Sequence, residues 1–232
     1  MATENYDLKD FKRISIKHAM EVDIIRADEY SISVSGNDTQ LDNLKVVQED
    51  DGLSFSYDIN LGSILAAPFS KMHARITLPE LRELRISGAA RGTVKGFSSP
   101  NDFDLNVAGA SRLDLTGMEV GSMKWDLSGA SRIDGEIKAA GNVDLHIAGA
   151  SHLDLKGSAK DILLDAAGAS RIDLDNLQVV NAKVKLSGAS HGSVNPSGKL
   201  DVDLSGASRL DYGTQATIGN VSVNGASTLK HR

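Results

Sequence analysis

Asp104-Leu-Asn-Val-Ala-Gly-Ala-Ser-Arg-Leu-Asp-Leu115 and Asp144-Leu-His-Ile-Ala-Gly-Ala-Ser-His-Leu-Asp-Leu155 are two copies of one phrase. Its central Gly-Ala-Ser recurs with its glycine at Gly109, Gly129, Gly149, Gly168, Gly188, Gly206 and Gly225, after a variant copy, Gly88-Ala89-Ala90. Successive glycines are 21, 20, 20, 19, 20, 18 and 19 residues apart. A fixed period of this length marks a stack of like units, each too small to bury its apolar face alone.

Each unit carries two short alternating runs. Before the glycine stand Leu105 and Val107, Trp125 and Leu127, Leu145 and Ile147, Val184 and Leu186, Val202 and Leu204, Val221 and Val223. After the serine come Arg112-Leu-Asp-Leu115, Arg132-Ile-Asp134, His152-Leu-Asp-Leu155, Arg171-Ile-Asp-Leu174 and Arg209-Leu-Asp-Tyr212. A period of two is that of a half-buried strand, and the i, i+3, i+4 spacing of a helical repeat is missing. So are the leucine-rich ladder and the calcium-binding nonapeptide. The pattern therefore predicts an all-β right-handed parallel β-helix of roughly 20 residues per coil. Coils would lie about 4.8 Å apart. Leu105, Leu145, Val184 and Val202 would form one inner ladder, and Leu113, Ile133, Leu153, Ile172 and Leu210 another. Glycine turns the corner with dihedrals other residues avoid. The corner breaks the parity, so Ala110 and Ser111 are both candidates for its inward position.

Outward residues also repeat. Stacked coils set a row of Arg112, Arg132, His152, Arg171, His191 and Arg209 beside a row of aspartates, a candidate surface-binding ladder. Opposite charges two apart on one face compensate each other and oppose register slips.

Residues 1–80 lack the phrase but still alternate, in Phe11-Lys-Arg-Ile-Ser-Ile-Lys17, Met20-Glu-Val-Asp-Ile-Ile25, Ser31-Ile-Ser-Val-Ser-Gly36 and Leu53-Ser-Phe-Ser-Tyr57. They are expected to form an atypical N-terminal β cap, continuous with a regular β-helix over 81–232. The apolar Leu61–Phe69 stretch is a loop folded over the cap or a surface that pairs chains into a homo-oligomer. The charged end, Lys230-His-Arg232, suits a stop to further stacking.

Composition fits this core and narrows the chemistry. Aromatics are 4% of the chain, so the apolar volume comes from small aliphatic side chains. There is no cysteine, which removes thiol nucleophiles, disulfides and thiolate metal sites. A net charge of -6 offers no basic field for nucleic acid, and no run of 18 apolar residues forms a membrane-spanning helix. His152 and His191 hold the arginine position about 9.6 Å apart, too far to share one metal. Stacked aspartates at such spacings invite comparison with glycosidases. An identical aspartate on turn after turn, with no insertion or cleft, argues against catalysis. No Gly-x-Ser-x-Gly elbow and no phosphate-cradling strand–loop–helix is present, so neither a catalytic residue nor a cofactor is expected.

The Gly-Ala-Ser-Arg/His-Leu/Ile-Asp phrase resembles the bacterial family named putative auto-transporter adhesin, head GIN domain. Phe11-Lys-Arg-Ile-Ser-Ile16, Asp51-Gly-Leu-Ser-Phe55 and Ile76-Thr-Leu-Pro-Glu-Leu-Arg-Glu-Leu-Arg-Ile-Ser-Gly88 resemble it too. The resemblance covers nearly the whole chain. It implies an exported β-helical protein that is periplasmic, outer-membrane-associated or extracellular, with no catalytic residues; the regular face with its Arg/His and Asp rows is expected to bind a glycan or a host or cell-surface protein. A structural or assembly protein of the envelope is the alternative, and a carbohydrate-active enzyme the remote one.

Overall fold

A computed structural model describes residues 2–57 and 72–232; the Leu61–Phe69 stretch lies outside the described residues. Strands divide between a twelve-stranded and an eleven-stranded sheet, and from His73–Leu78 onward they alternate between the two. From Glu83 onward each coil lies parallel to the one before it. In the shorter sheet Phe103–Gly109 pairs with Met123–Gly129, which pairs with Val143–Gly149. In the longer sheet Arg112–Val120, Arg132–Ala139 and His152–Ser158 stack likewise. The result is an all-β solenoid of about seven turns of roughly 20 residues.

The inner ladders form as the alternation predicts. Leu105, Trp125, Leu145, Leu164, Val184 and Val202 stack at no more than 4% exposure, and Leu113, Ile133, Leu153, Ile172 and Leu210 at no more than 1%. Each such side chain contributes roughly 1.5–3 kcal/mol by leaving water. The variable spacing of the repeat is absorbed beyond the Arg-x-Asp strand. The register shifts between Leu115 and Met118, and again between Leu174 and Val179, so a one-residue change in coil length leaves both ladders aligned.

The corner question resolves in favour of serine. Ser111, Ser131, Ser151, Ser170, Ser190 and Ser208 are buried, while Ala110 faces out. Each hydroxyl is used between coils: Ser170 donates to the Gly149 carbonyl at 3.1 Å and accepts from the Ser151 amide at 3.3 Å. Gly149 has φ +122, and a Cβ there would sit 2.2 Å from the Gly129 carbonyl oxygen. That oxygen accepts the Ala150 amide at 2.8 Å, so the missing side chain is what lets this bond close.

The cap is where stacking order and chain order part. Strand Arg13–Ile16 lies between Gly52–Tyr57 and Glu83–Gly88. Strand Glu21–Arg26 lies between His73–Leu78 and Arg91–Lys95. The first coil is thus sandwiched between later ones, and the chain crosses back over it at residues 79–82. Glu80 staples that crossing. Its carboxylate meets Lys12 at 3.0 Å, Arg82 at 2.9 Å and the Asn101 amide at 2.5 Å. Burial pushes this carboxyl up, but the three donors outweigh burial and hold it at about 2. Outside lie antiparallel strands Ser31–Gly36, Ala2–Tyr6 and Leu44–Glu49, and the short helix Asp38–Asp42. An Asn37–Gln40 capping box starts that helix.

At the other end Lys230 and His231 belong to a strand that pairs with Arg209–Tyr212 and is the terminal strand of the longer sheet. Arg232 grips Asp175 with a fork at 2.6 and 2.7 Å. The inner positions of the last coil, Ile218, Val221 and Val223, are left 41–45% exposed.

Candidate functional site

The outer face of the longer sheet carries the rows anticipated from the repeat. Arg91, Arg112, Arg132, His152, Arg171, His191 and Arg209 are register partners in successive coils. Beside them run Thr93, Asp114, Asp134, Asp154, Asp173, Ser193 and Asp211. The strand's pleat fixes this arrangement: the intervening residues point into the core, so both rows must point out.

Compensation along the rows is uneven. Arg132 makes a two-pronged contact with Asp134 at 2.8 and 3.0 Å, which holds that carboxyl below its usual range. Arg209 grips Asp211 at 2.9–3.1 Å while His191 Nε2 meets the same carboxylate at 3.0 Å. Burial of Asp211 acts upward on its pKa, but Arg209 and His191 prevail and lower it. Arg112 stands off, 3.9 Å from Asp114 and 3.7 Å from Asp134. Among the described residues, no ion pair or hydrogen bond reaches the side chains of Arg91, His152 or Arg171.

Two coils break the pattern, and the sequence reading passed over both. Arg91-Gly-Thr-Val94 and His191-Gly-Ser-Val194 replace Leu-Asp by Gly-hydroxyl. The signal was present in the aligned phrases. A hydroxyl is shorter than a carboxylate, and each replacement leaves a notch. The first is a groove of about 450 Å³ that includes Asp23, His73, Thr93 and Arg112. The second, of about 170 Å³, includes Asp173, Ser193, Asp211 and Arg232. In each the hydroxyl turns to a neighbouring coil. Thr93 donates to Asp23 at 2.5 Å, and Ser193 donates to Asp173 at 3.2 Å. His73 Nε2 meets the other oxygen of Asp23 at 3.0 Å. That hydrogen bond from Thr93, together with His73, lowers the Asp23 pKa against the effect of burial.

This order of groups does not activate a nucleophile. A nucleophilic hydroxyl gives its proton to a base that a third group orients. Here the carboxylate stands between hydroxyl and imidazole and accepts from both. What the face offers is fixed, alternating charge and hydrogen-bonding groups. Among the described residues no cluster of His, Asp and Glu has a metal-holding arrangement.

The outer face of the shorter sheet carries a larger groove, of about 750 Å³, floored by Ser15, Ser54 and Ser87 and edged by Arg13, Lys17 and Arg85. Its lining mixes these polar groups with apolar ones, among them the exposed Val47. Arg13 is held by Asp51 and Arg85 by Glu83.

A parallel solenoid with a filled core and a laddered, charged outer face defines a class of rigid surface-presenting repeat proteins. Within it, the chain belongs to the family described as putative auto-transporter adhesin, head GIN domain, whose model matches residues 10–216. Solved structures share the fold at low identity. A protein titled "putative lipid binding protein" from Parabacteroides distasonis has a TM-score of 0.78 at 16% identity, covering 100% of this chain and 96% of its own. A "putative adhesin" from Bacteroides fragilis has a TM-score of 0.63 at 18% identity, covering 100% and 96%. Another from Parabacteroides merdae has a TM-score of 0.72 at 14% identity, covering 100% and 95%. None of the curated proteins matches the chain.

Proposed function

We propose that this chain is a non-enzymatic binding module of an exported, envelope-associated protein. Its ligand is a glycan or a cell-surface protein, held on the row Arg112, Arg132, His152, Arg171, His191 and Arg209. The observation that carries this reading is the uneven pairing along the row. Arg209 and His191 are tied to Asp211 and Arg132 to Asp134, whereas the exposed guanidinium of Arg171 and the ring of His152 have no partner among the described residues. Free donors have no ion pair to give up before engaging a ligand, which favours recognition of carboxylate or hydroxyl groups at coil spacing. The family name and the adhesin titles of structural neighbours support a binding role of this kind.

The test is binding of the folded chain to a glycan array and to cell-surface preparations. Arg171→Glu should weaken binding at least tenfold. Arg132→Glu should weaken it less, because that arginine is already held by Asp134. Unchanged binding by the folded double variant would remove this face from consideration. The lipid-binding title of one neighbour has less support here: among the described residues, packed side chains fill the space between the sheets.

A further inference from the structure

The last coil breaks the rule followed by those beneath it. Strand Thr217–Val223 is exposed along its whole length, and it and Thr228–His231 are the terminal strands of their sheets. Ile218, Val221 and Val223 continue the ladders of Leu200, Val202 and Leu204, which are at most 4% exposed. One coil up, the same ladders are 41–45% open. Protection of this edge is confined to a register shift opposite Leu200 and Val202 and to Lys230 on Thr228–His231. Residues 213–229 contain no Asp, Glu, Lys, Arg or His. Where the coil below carries Asp203 and Arg209, this coil carries Ser222 and Thr228.

We infer that this end is a self-association surface, on which a second copy of the chain stacks end to end about a two-fold axis. A two-fold contact brings a surface against itself, so any charge on it risks meeting its own kind. The uncharged run satisfies that condition, whereas the outer face of the longer sheet does not. Charge also selects the arrangement. If Thr228–His231 met its own copy, Lys230 and His231 would crowd against themselves. Crossed stacking, with Thr228–His231 of each copy on Thr217–Val223 of the other, sets Lys230 against a neutral strand. The area is adequate. Sheets about 10 Å apart and a seven-residue strand about 24 Å long, widened by outer side chains, give about 500 Å² per copy, or about 1,000 Å² in all. That is the lower bound of a specific interface, so the dimer should be weak and concentration-dependent.

The experiment is sedimentation velocity on the intact chain from micromolar to millimolar concentration. The expected result is a shift from 24.6 kDa toward twice that mass. Val221→Lys with Ile218→Lys changes already exposed side chains and should abolish the shift, with an unchanged circular dichroism spectrum. If the double variant unfolds, cysteines decide, because the chain has none of its own. Val221→Cys with Leu229→Cys should form an oxidised dimer. The sheets, about 10 Å apart, are beyond disulfide reach within one copy. Either single cysteine should cross-link far less. A monomer at every concentration overturns the inference and leaves this end to a partner of different sequence. Dimers that survive the lysine substitutions, or cross-linking by Val221→Cys alone, overturn the crossed arrangement.

Discussion

Gly149→Ala is the substitution that best isolates the role of the corner. The new Cβ would lie 2.2 Å from the Gly129 carbonyl oxygen, 2.9 Å from its nitrogen and 3.1 Å from its carbon. All three are backbone atoms of the next coil, so no side chain can swing aside. The backbone itself, at φ +122, lies outside the left-handed helical well and costs about 1–3 kcal/mol for a residue with a Cβ. Relief of the clash requires the coils to part by about 1 Å, which breaks the 2.8 Å bond from the Ala150 amide to Gly129 and leaves buried groups short of partners. That adds about 1–3 kcal/mol, for a total of about 2–6 kcal/mol. Gly117→Ala supplies the control. Its φ is +64, yet its Cβ would meet nothing nearer than 3.7 Å, so it should lose only about 1–2 kcal/mol. Guanidinium titration followed by circular dichroism and by the fluorescence of Trp125, the only tryptophan, measures both. Equal losses in the two variants would refute the close-approach argument and leave only the dihedral one.

Other consequences are open to the same assay. Ser170→Ala removes a hydroxyl that both donates to Gly149 and accepts from Ser151, and should cost about 1–2 kcal/mol. Ser128→Ala, at an exposed serine, serves as its comparison, and an equal loss there would deny the inner serines a special role. Trp125→Leu should cost about 2–4 kcal/mol through the space it opens, despite removing an indole N–H that is buried without an acceptor. Adding Gly135→Ala should recover part of that loss, because Leu155, which now stands 2.6 Å from the Cβ site, could move into the vacated space. Simple additivity of the two changes would argue against this coupling. For Glu80, the carboxyl falls from 4.5 to about 2 on folding. A lowered acid stabilises fully above its unfolded value, and that contribution is lost as pH falls through the folded one. The staple should therefore contribute about 3 kcal/mol near neutrality, declining from about pH 4.5 toward 2. Glu80→Gln should be weaker at pH 7 and flatter over that window, and parallel curves for the two proteins would contradict the assignment.

Regular stacking is what made most of this fold legible. Once Leu105 and Leu145 are known to occupy equivalent places, their neighbours follow. The buried serine was not legible, because two residues at a sharp corner have no parity to read. Neither was the placement of Arg13–Ile16 between later strands, since alternation identifies a strand but not its neighbours. The candidate site was half legible. The two rows follow from the pleat, but which charges stay unpaired depends on rotamers that no spacing encodes. The notches at Thr93 and Ser193 were readable as departures from Leu-Asp, and emphasis on the sameness of the coils hid them.

The interposed first coil has a mechanical meaning. Tension applied at the C-terminal end meets one coil at a time, each held by a short row of backbone bonds that opens like a zip. Tension at the N-terminal end first strips Ala2–Tyr6, then reaches strands clamped on both sides by later coils and pinned at Glu80. The two ends of this rod therefore differ as anchorages. The one that holds Arg13–Ile16 and Glu21–Arg26 between later strands is the more tightly interlocked.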